Sequence, residues 1–385
     1  MPAATVLAPE PMMTCLQLRV DRLSMAHPGD LSTLAALLED GTLQAQEVVA
    51  IIGKTEGNGG VNDFTRGYFT QTLMQLLSRH SGVPSETLLA TVPCILSGGT
   101  EGVLSPHYVV FSRRAVARQA DAVSPALAIG RALGAPLPVG QLGRWAHVQA
   151  IAETVRRAMA DARIDAVDDV CFVQVKTPCI TVERARQAEA QGQQVLTRDP
   201  GRAMAYARAA GAFGVALALG EIEDDPQLGA ALLHDFDVYC DRASVSCGVE
   251  VAVDEAVVLG HSAHWQGPLR MASVPMRDAL DLGAVAQALA PLGIAAQPQV
   301  LPADQARIVA AFVKCEPDRR GQVRGARHTM LDDTDINAQR HIRGAVGGLV
   351  AGVLGDGRVF VSGGAEHQGP DGGGLVAIIA QAAAC

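Results

Sequence analysis

The sequence predicts an α/β fold in which three homologous repeats lie around a pseudo-threefold axis. Three observations lead to this prediction. An apolar strand that ends in lysine occurs three times, a strand that stops at a serine turn follows each one, and segments with helical periodicity lie between them. Alternating strands and helices at this spacing build layered α/β folds. With 385 residues, each repeat is long enough to bury a core of its own.

The lysine strands are the first shared element. Each is a short apolar run typical of a buried strand, and the three runs lie at 48–54, 170–176 and 308–314. Their last residues, Lys54, Lys176 and Lys314, are the only lysines in the chain. Packing alone gives no reason to keep a charge at the end of an apolar strand, so the threefold occurrence favours a functional role.

Helices are predicted on both sides of each lysine strand. The preceding helix is predicted over 30–38, 147–162 and 282–292, and the following helix over 68–78, 203–219 and 342–354. In the first of the following helices, Phe69, Leu73 and Leu76 recur at helical spacing. One arginine lies near the front of each following helix, at Arg66, Arg208 and Arg340.

A serine turn ends the second strand of each repeat. The shared frame is Ser-x-Gly-x-Glu, and it occurs at 97–101, 246–250 and 362–366. Glycine in this frame permits a tight turn. Each repeat therefore consists of a helix, a strand with lysine, a helix and a strand with serine, and we place the three units at 1–116, 124–263 and 269–385.

These repeated residues predict one shared site. Taken singly, a lysine at a strand end is usually a solvated edge charge and a Ser-Gly-Gly is usually only a turn. If the three repeats meet at one axis, however, burial and the arginine charges lower the pKa of at least one lysine. Such a lysine can take the proton of a serine nucleophile, and N–H groups of the serine turns can stabilise a developing oxyanion. A compact cationic site of this kind fits a small, flat, acidic ring with several carbonyls.

Composition and motif searches exclude several other classes. The net charge of -9 argues against nucleic acid as the main partner. Residues 1–18 lack the pattern of a leader and no run is long enough to span a bilayer, which predicts a cytoplasmic protein that does not interact with membranes. The eight cysteines form no Cys-x-x-Cys pair and are expected to be reduced thiols. No organic cofactor is predicted, since Gly53-Lys54-Thr55 lacks the first glycine of a phosphate-binding loop. His261 and His264 have no evident third metal ligand, so a structural or surface role is favoured for them.

Four longer motifs carry a resemblance to a known family. They lie at 52–63, 97–107, 327–331 and 362–370, and they resemble the cyanuric acid hydrolase and barbiturase family over essentially the whole chain. The resemblance implies a three-repeat fold with the substrate at its centre. It also implies hydrolytic opening of the s-triazine ring of cyanuric acid to carboxybiuret.

The resemblance further implies roles for individual residues. The second repeat supplies the catalytic pair, with Ser246 as nucleophile and Lys176 as its base. Cys247 could itself be a nucleophile, but its counterparts are Gly98 and Gly363, which favours a backbone role. The remaining implied substrate-binding residues are Lys54, Ser97, Gly98, Lys314, Ser362 and Gly363, with the arginines Arg66, Arg208 and Arg340.

A structural metal and an assembly are also implied by the resemblance. The metal would be magnesium or calcium, held by the carboxylate of Glu316 and by mostly main-chain oxygens of a turn. That turn supplies Ala365, Gln368, Gly369, Pro370 and Gly373. From the residues alone, Glu316 is equally well an ordinary surface carboxylate. The assembly implied is a homotetramer.

Three functions remain open at this point. Arg208 and the Ser362-Gly-Gly sequence favour cyanuric acid over barbituric acid, because barbiturases tend to depart from both, although a pocket discriminates such similar rings only modestly. A second interpretation is a non-catalytic protein that binds a cyclic imide without opening it. A third is a structural protein whose repeats serve packing only, in which Lys54, Lys176 and Lys314 could be freely replaced.

Overall fold

The computed structural model describes residues 14–119 and 123–382. The expectation about a leader concerns residues 1–18, of which 1–13 lie outside these ranges. The expectation about the thiol of Cys385 also lies outside them. Within them the chain forms three four-stranded sheets and one two-stranded hairpin. The α/β fold with three repeats is therefore confirmed.

The first repeat contains seven elements. In chain order they are β1 (Thr14–Ser24), α1 (Ser32–Glu39), β2 (Val48–Thr55), α2 (Phe64–Ser81), α3 (Ser85–Leu89), β3 (Cys94–Gly98) and β4 (His107–Ala117). The second repeat contains β5 (Ala126–Leu133), α4 (Trp145–Ala162), β6 (Val170–Pro178), α5 (Val182–Ala190), α6 (Pro200–Ala218), β7 (Ala243–Gly248) and β8 (Glu255–Ser262).

The third repeat has the same strand order, but its short second helix precedes the lysine strand and a hairpin is inserted after that strand. Its elements are β9 (Leu269–Met276), α7 (Leu282–Leu289), α8 (Pro302–Gln305), β10 (Ile308–Cys315), the hairpin strands β11 (Gln322–Val323) and β12 (Ala326–Arg327), α9 (Ala338–Leu354), β13 (Phe360–Gly363) and β14 (Gly374–Gln381). The sheets are ordered β1-β4-β2-β3, β5-β8-β6-β7 and β9-β14-β10-β13. All three repeats thus share one topology.

Two strands in each repeat extend the unit that the sequence pattern predicted. These are the first and last strands of each repeat. In the first repeat, β1 pairs antiparallel with β4, and β4 pairs antiparallel with the lysine strand β2. β1 carries Arg19, Asp21 and Arg22 and is only partly buried, so its apolar signal is weak. Short runs of this kind are hard to assign from periodicity alone.

The long helices begin earlier than their apolar periodicity indicates because polar residues cap them. Asp63 accepts the N–H of Thr65 at the start of α2, and Asp199 accepts two N–H groups at the start of α6. Asn337 accepts the N–H of Gln339 at the start of α9. Side-chain acceptors at this position satisfy otherwise free N–H groups of the first turn. No helix in the described ranges has both the length and the apolarity needed to cross a membrane.

A core shared by the repeats holds the lysine strands together. Phe172 of β6 stacks on Phe312 of β10 with ring centroids 5.3 Å apart, and Phe111 of β4 stacks on the same ring at 6.4 Å. These rings belong to one hydrophobic cluster that draws buried residues from all three repeats. Stacked and offset aromatic pairs add to the free energy gained from burial. The ends of the three lysine strands are therefore held near one another.

Candidate active site

Sheet register places one serine beside each lysine. β2 and β3 are parallel with Lys54 opposite Ser97, β6 and β7 with Lys176 opposite Ser246, and β10 and β13 with Lys314 opposite Ser362. All three lysines are at most 1% exposed. Burying an ammonium group is costly unless it is neutralised or paired, so these lysines are functional candidates rather than edge charges.

The pairs of the first and third repeats are hydrogen-bonded. Lys54 Nζ donates to Ser97 Oγ at 3.2 Å and to the carbonyl of Gly98 at 3.3 Å. Lys314 Nζ donates to Ser362 Oγ at 3.1 Å, to the carbonyl of Gly363 at 3.1 Å and to that of Val245 at 2.7 Å. Each lysine is thus held against its own serine turn.

Burial and arginine charges lower the pKa of both of these lysines. Burial is the main cause for Lys54, followed by the Arg343 guanidinium, and its pKa lies well below the ordinary value. Burial and then Arg208 lower the pKa of Lys314 to about 7. The prediction that at least one lysine in the site has a depressed pKa is confirmed.

The pair of the second repeat is arranged differently. Lys176 Nζ donates to the carbonyl of Leu96 at 2.9 Å and lies 2.6 Å from Glu250 Oε1. Ser246 Oγ is buried and has no hydrogen-bond partner among the described residues. The hydroxyl of Ser246 is therefore the one of the three that its lysine does not engage in this structure.

Three arginine–glutamate pairs connect the repeats in a closed ring. Arg66 Nε lies 2.8 Å from Glu250 Oε1 of the second repeat. Arg208 donates to both carboxylate oxygens of Glu366 at 2.7 and 2.6 Å. Each glutamate is the last residue of a Ser-x-Gly-x-Glu frame, so an arginine of one repeat always binds the turn of the next.

The third member of the ring is Arg343 rather than the predicted Arg340. Arg343 donates to both oxygens of Glu101 at 3.0 and 2.5 Å, and its side chain is 8% exposed. The side chain of Arg340 is 48% exposed, and its Nε lies 3.4 Å from Glu101. Counting from the helix start favours Arg340, because it and Arg66 are both third in their helices. The Arg-Gly dipeptide shared by Arg66 and Arg343 is the sequence signal that identifies the buried arginine.

The glutamates are site residues that the sequence analysis did not assign. Burial acts to raise the pKa of Glu250, but Lys176 and Arg66 outweigh it and hold that pKa at about 2. In Glu366, Arg208 likewise overcomes burial and keeps the pKa at about 2. These carboxylates stay ionised and fix the orientation of the cationic groups around the site.

Small residues follow each serine because the turns are crowded. A Cβ on Gly98 would lie 1.7 Å from Asp63 Oδ2, and one on Gly363 would lie 2.8 Å from Gln339 Oε1. In the second repeat this position is Cys247, whose Sγ donates to the carbonyl of Pro178 at 3.4 Å. Burial raises the pKa of the Cys247 thiol well above its ordinary value. A thiol in that state is a poor nucleophile, which favours the backbone role.

The residues considered as metal ligands lie in two places. Glu316 is 2% exposed, its N–H donates to the carbonyl of Gly373 at 3.3 Å, and its carboxylate accepts from Arg319 at 2.8 and 2.7 Å. His261 contacts Cys171 Sγ at 3.5 Å, whereas His264 pairs weakly with Asp165 at the surface. Within residues 14–119 and 123–382, no group of three or more His, Cys, Asp and Glu side chains is placed to hold a metal.

Comparison with known proteins gives consistent similarities over almost the whole chain. A family model described as amidohydrolase ring-opening protein matches residues 19–381. The cyanuric acid amidohydrolase of Azorhizobium caulinodans is 47% identical over 362 residues, which cover 94% of this chain and 98% of that protein. The corresponding protein of Bradyrhizobium sp. (strain ORS 375) is 45% identical over 370 residues, covering 96% and 99%.

Solved structures give the same result. A crystal structure of the A. caulinodans cyanuric acid hydrolase superposes with a TM-score of 0.86 at 45% identity, covering 95% of this chain and 99% of that one. A second cyanuric acid hydrolase structure, described as an evolutionary innovation by structural concatenation, gives a TM-score of 0.90 at 41% identity, covering 96% and 100%. The concatenation named there is similar to the three repeats seen in this chain.

Proposed function

This chain belongs to the ring-opening amidohydrolase family, and on that premise we propose that it hydrolyses cyanuric acid, opening the s-triazine ring to carboxybiuret. The relatives named above support the substrate. The observation that carries the proposal is the buried threefold set of serines and lysines, ringed by arginines. A ring with three equivalent carbonyls matches that set in symmetry and in charge.

Ser246 is the proposed nucleophile and Lys176 its base. Ser246 Oγ attacks one ring carbonyl carbon while Lys176, in its uncharged form, takes the hydroxyl proton. Lys176 then returns the proton to the ring nitrogen as the C–N bond breaks, which leaves an acyl ester on Ser246. Water hydrolyses that ester, so one water is consumed and the new terminal group is a carboxylate. The unpartnered hydroxyl of Ser246 supports this assignment.

The other two pairs are proposed to bind the remaining carbonyls. Ser97 with Lys54 and Ser362 with Lys314 present hydroxyl and amine groups at equivalent positions of the other repeats. Backbone N–H groups at Gly98, Cys247 and Gly363 are proposed to stabilise the developing oxyanions. Arg66, Arg208 and Arg340 are proposed to bind the substrate as well, together with the buried Arg343.

A second candidate nucleophile is Ser97. It is hydrogen-bonded to Lys54, whose pKa burial lowers well below the ordinary value. A lysine that is uncharged near neutral pH is the form a serine needs as its base. Parallel alanine variants of the serines decide between the two pairs.

The substrate assignment is tested by following ring loss in ultraviolet absorbance with cyanuric and barbituric acid in separate reactions. We expect rapid loss of cyanuric acid and much slower loss of barbituric acid. Rapid loss of barbituric acid alone would instead indicate that the chain is a barbiturase. Loss of neither ring, with binding retained, would instead favour a non-catalytic cyclic-imide binding protein.

We further propose a structural magnesium or calcium ion at Glu316. The chemistry of the donors fits, because Glu316 is a buried carboxylate whose main-chain N–H donates to the carbonyl of Gly373, and the turn at 365–373 offers further main-chain oxygens. Ala365, Gln368, Gly369 and Pro370 complete the proposed ligand set. Arg319 now neutralises Glu316, so the cation would take the place of that guanidinium. When bound, the ion would supply positive charge that fixes the turn following Ser362.

Metal removal gives the corresponding prediction. Dialysis against a chelator is expected to lower the midpoint of thermal unfolding, and added magnesium or calcium to restore it. Glu316→Gln should abolish the restoration, whereas Arg319→Gln should retain it and bind the ion more tightly. If neither chelator nor added metal changes the midpoint of thermal unfolding of the wild-type protein, the proposed metal site is contradicted.

The assembly and the cellular location of the enzyme are two further proposals. We propose a homotetramer, for which four chains of 40.1 kDa would sediment at about 160 kDa. We also propose that the enzyme acts in the cytoplasm, which the free thiols of the seven described cysteines support. Analytical ultracentrifugation and cell fractionation test these two points.

A further inference from the structure

Lys176 differs from the other two lysines in the groups that hold its amine. Lys54 and Lys314 bond hydroxyl and carbonyl oxygens of the serine turns. Lys176 bonds the carbonyl of Leu96 from the first repeat and contacts the carboxylate of Glu250 at 2.6 Å. Within the described residues it is the one lysine in contact with a carboxylate.

An uncharged lysine amine has two N–H bonds and one lone pair. The carbonyl of Leu96 accepts one N–H of Lys176, and Glu250 Oε1 lies 2.6 Å from its Nζ as an ion-pair contact. The register of β6 and β7 places Ser246 directly opposite Lys176, and its hydroxyl has no other partner among the described residues. The lone pair of an uncharged Lys176 can therefore turn toward Ser246 and accept the hydroxyl proton.

We propose that Glu250 is a positioning residue that, with the carbonyl of Leu96, orients the amine of Lys176 so that its lone pair serves Ser246. This inference rests on the proposed function, in which Ser246 is the nucleophile. Glu250 acts through Lys176 and does not touch the reacting atoms. A glutamate contacts the lysine in the second repeat only. The second Ser–Lys pair therefore has a geometry that the first and third pairs lack.

The asymmetry begins at Arg66. Its Nη2 donates to the carbonyl of Gly60 at 3.0 Å and its Nη1 lies 3.5 Å from Asp63, which leaves Nε for Glu250. Arg208 and Arg343, in contrast, each bind both oxygens of their glutamate.

The sequence explains why only Arg66 is diverted. The residues three positions before Arg208 and Arg343 are Ala205 and Arg340, and neither can hold a guanidinium as Asp63 does. Asp63 thus keeps Arg66 from binding both oxygens of Glu250. The carboxylate can therefore contact the amine of Lys176.

Other ionisable groups also face Lys176. Glu255 of β8 is its register partner, and burial raises the pKa of Glu255 to about 7. Arg66, Cys94 of β3 and Cys247 of β7 complete the set. Among these groups, Glu250 is the carboxylate in direct contact, so its removal has the largest electrostatic effect on the amine.

Two substitutions separate orientation from charge. Glu250→Gln keeps an acceptor for Lys176 but removes the charge that favours the ammonium form. We expect kcat to fall less than about tenfold and the acid limb of the kcat profile to move to lower pH. Glu250→Ala removes the acceptor as well, and kcat should fall by roughly 10²-fold or more with little change in KM.

The matched controls are Glu101→Gln and Glu366→Gln, because these glutamates bind an arginine but no lysine. They should change KM while leaving the acid limb in place. Asp63→Asn tests the same role if the Glu250 variants fold poorly. It releases Arg66 toward Glu250, so the acid limb should move to lower pH as in Glu250→Gln. Glu255→Gln tests whether the limb belongs to Glu255 instead.

Ser246→Ala is measured beside these variants on cyanuric acid. If it abolishes turnover, and Glu250→Gln moves the acid limb while Glu101→Gln, Glu366→Gln and Glu255→Gln leave it in place, the proposal is supported. If it abolishes turnover but Glu250→Gln behaves like the two control glutamines, or Glu255→Gln moves the limb in its place, the positioning role is overturned and the proposed function stands. If Ser246→Ala keeps turnover, the nucleophile assignment fails, and the positioning role fails with it.

Discussion

Replacing Ser246 with alanine is expected to lower kcat for cyanuric acid by roughly 10⁴-fold or more, because the acyl ester can no longer form. Ring binding should persist, since the hydroxyls of Ser97 and Ser362 and the arginine ring are untouched. Steady-state kinetics measure the loss of turnover, and isothermal titration calorimetry measures the retained binding. A kcat lost together with binding would indicate damage to the site rather than removal of a nucleophile.

The two other serines are the matched controls for this variant. Ser97→Ala and Ser362→Ala each remove one hydroxyl at an equivalent position of the sheet register. If these hydroxyls polarise carbonyls without forming a bond to the ring, kcat/KM should fall by about 10²–10³-fold, the range for the loss of one preorganised donor. A larger loss in Ser97→Ala than in Ser246→Ala would assign the nucleophile to the first repeat instead.

Much of the fold could be predicted because each repeat contains the same chemically unusual residues. A lysine at the end of an apolar strand is rare enough to mark equivalent positions, and Lys54, Lys176 and Lys314 are the whole lysine content of the chain. Parallel pairing of each lysine strand with the next serine strand then places Ser97, Ser246 and Ser362 beside them. The first and last strands of each repeat carry no such marker, and β1 is partly exposed and charged.

The connections between repeats could not be predicted in the same way. The glutamate of each Ser-x-Gly-x-Glu frame is visible in the sequence, but its partner lies on a helix of a different repeat. Glu366, for example, binds Arg208 across 158 positions of the chain. Such contacts depend on how the repeats pack, which local periodicity does not encode.

The choice between Arg340 and Arg343 shows where a count of positions fails. An α-helix turns by 100° per residue, so residues three positions apart lie on nearby but distinct faces. The cap at Asp63 lies three residues before the buried arginine of α2, whereas the cap at Asn337 lies six residues before that of α9. The arginine in the equivalent place is therefore sixth in α9 although Arg66 is third in α2.

This difference leads to the second large effect that we expect. Arg343→Gln should lower kcat/KM for cyanuric acid by roughly 10²-fold or more, because a buried donor set loses its charge and Glu101 is no longer held. The free energy of unfolding should also fall by about 2 kcal/mol, since the variant leaves a carboxylate without its ion-pair partner. Arg340→Gln should change kcat/KM less than about threefold, because its side chain is half exposed and its contact with Glu101 is long.

The double variant Arg343→Gln with Glu101→Gln separates stability from function. It replaces the ion pair with two amides, so the free energy of unfolding in urea should recover most of its loss. Turnover should not recover, because the positive charge that Arg343 places beside Lys54 is still missing from the site. If turnover returns together with stability, the Arg343–Glu101 pair serves only to join the repeats. If Arg340→Gln is the more damaging single change, the exposed arginine moves into the site when substrate binds, and the assignment made from burial is wrong.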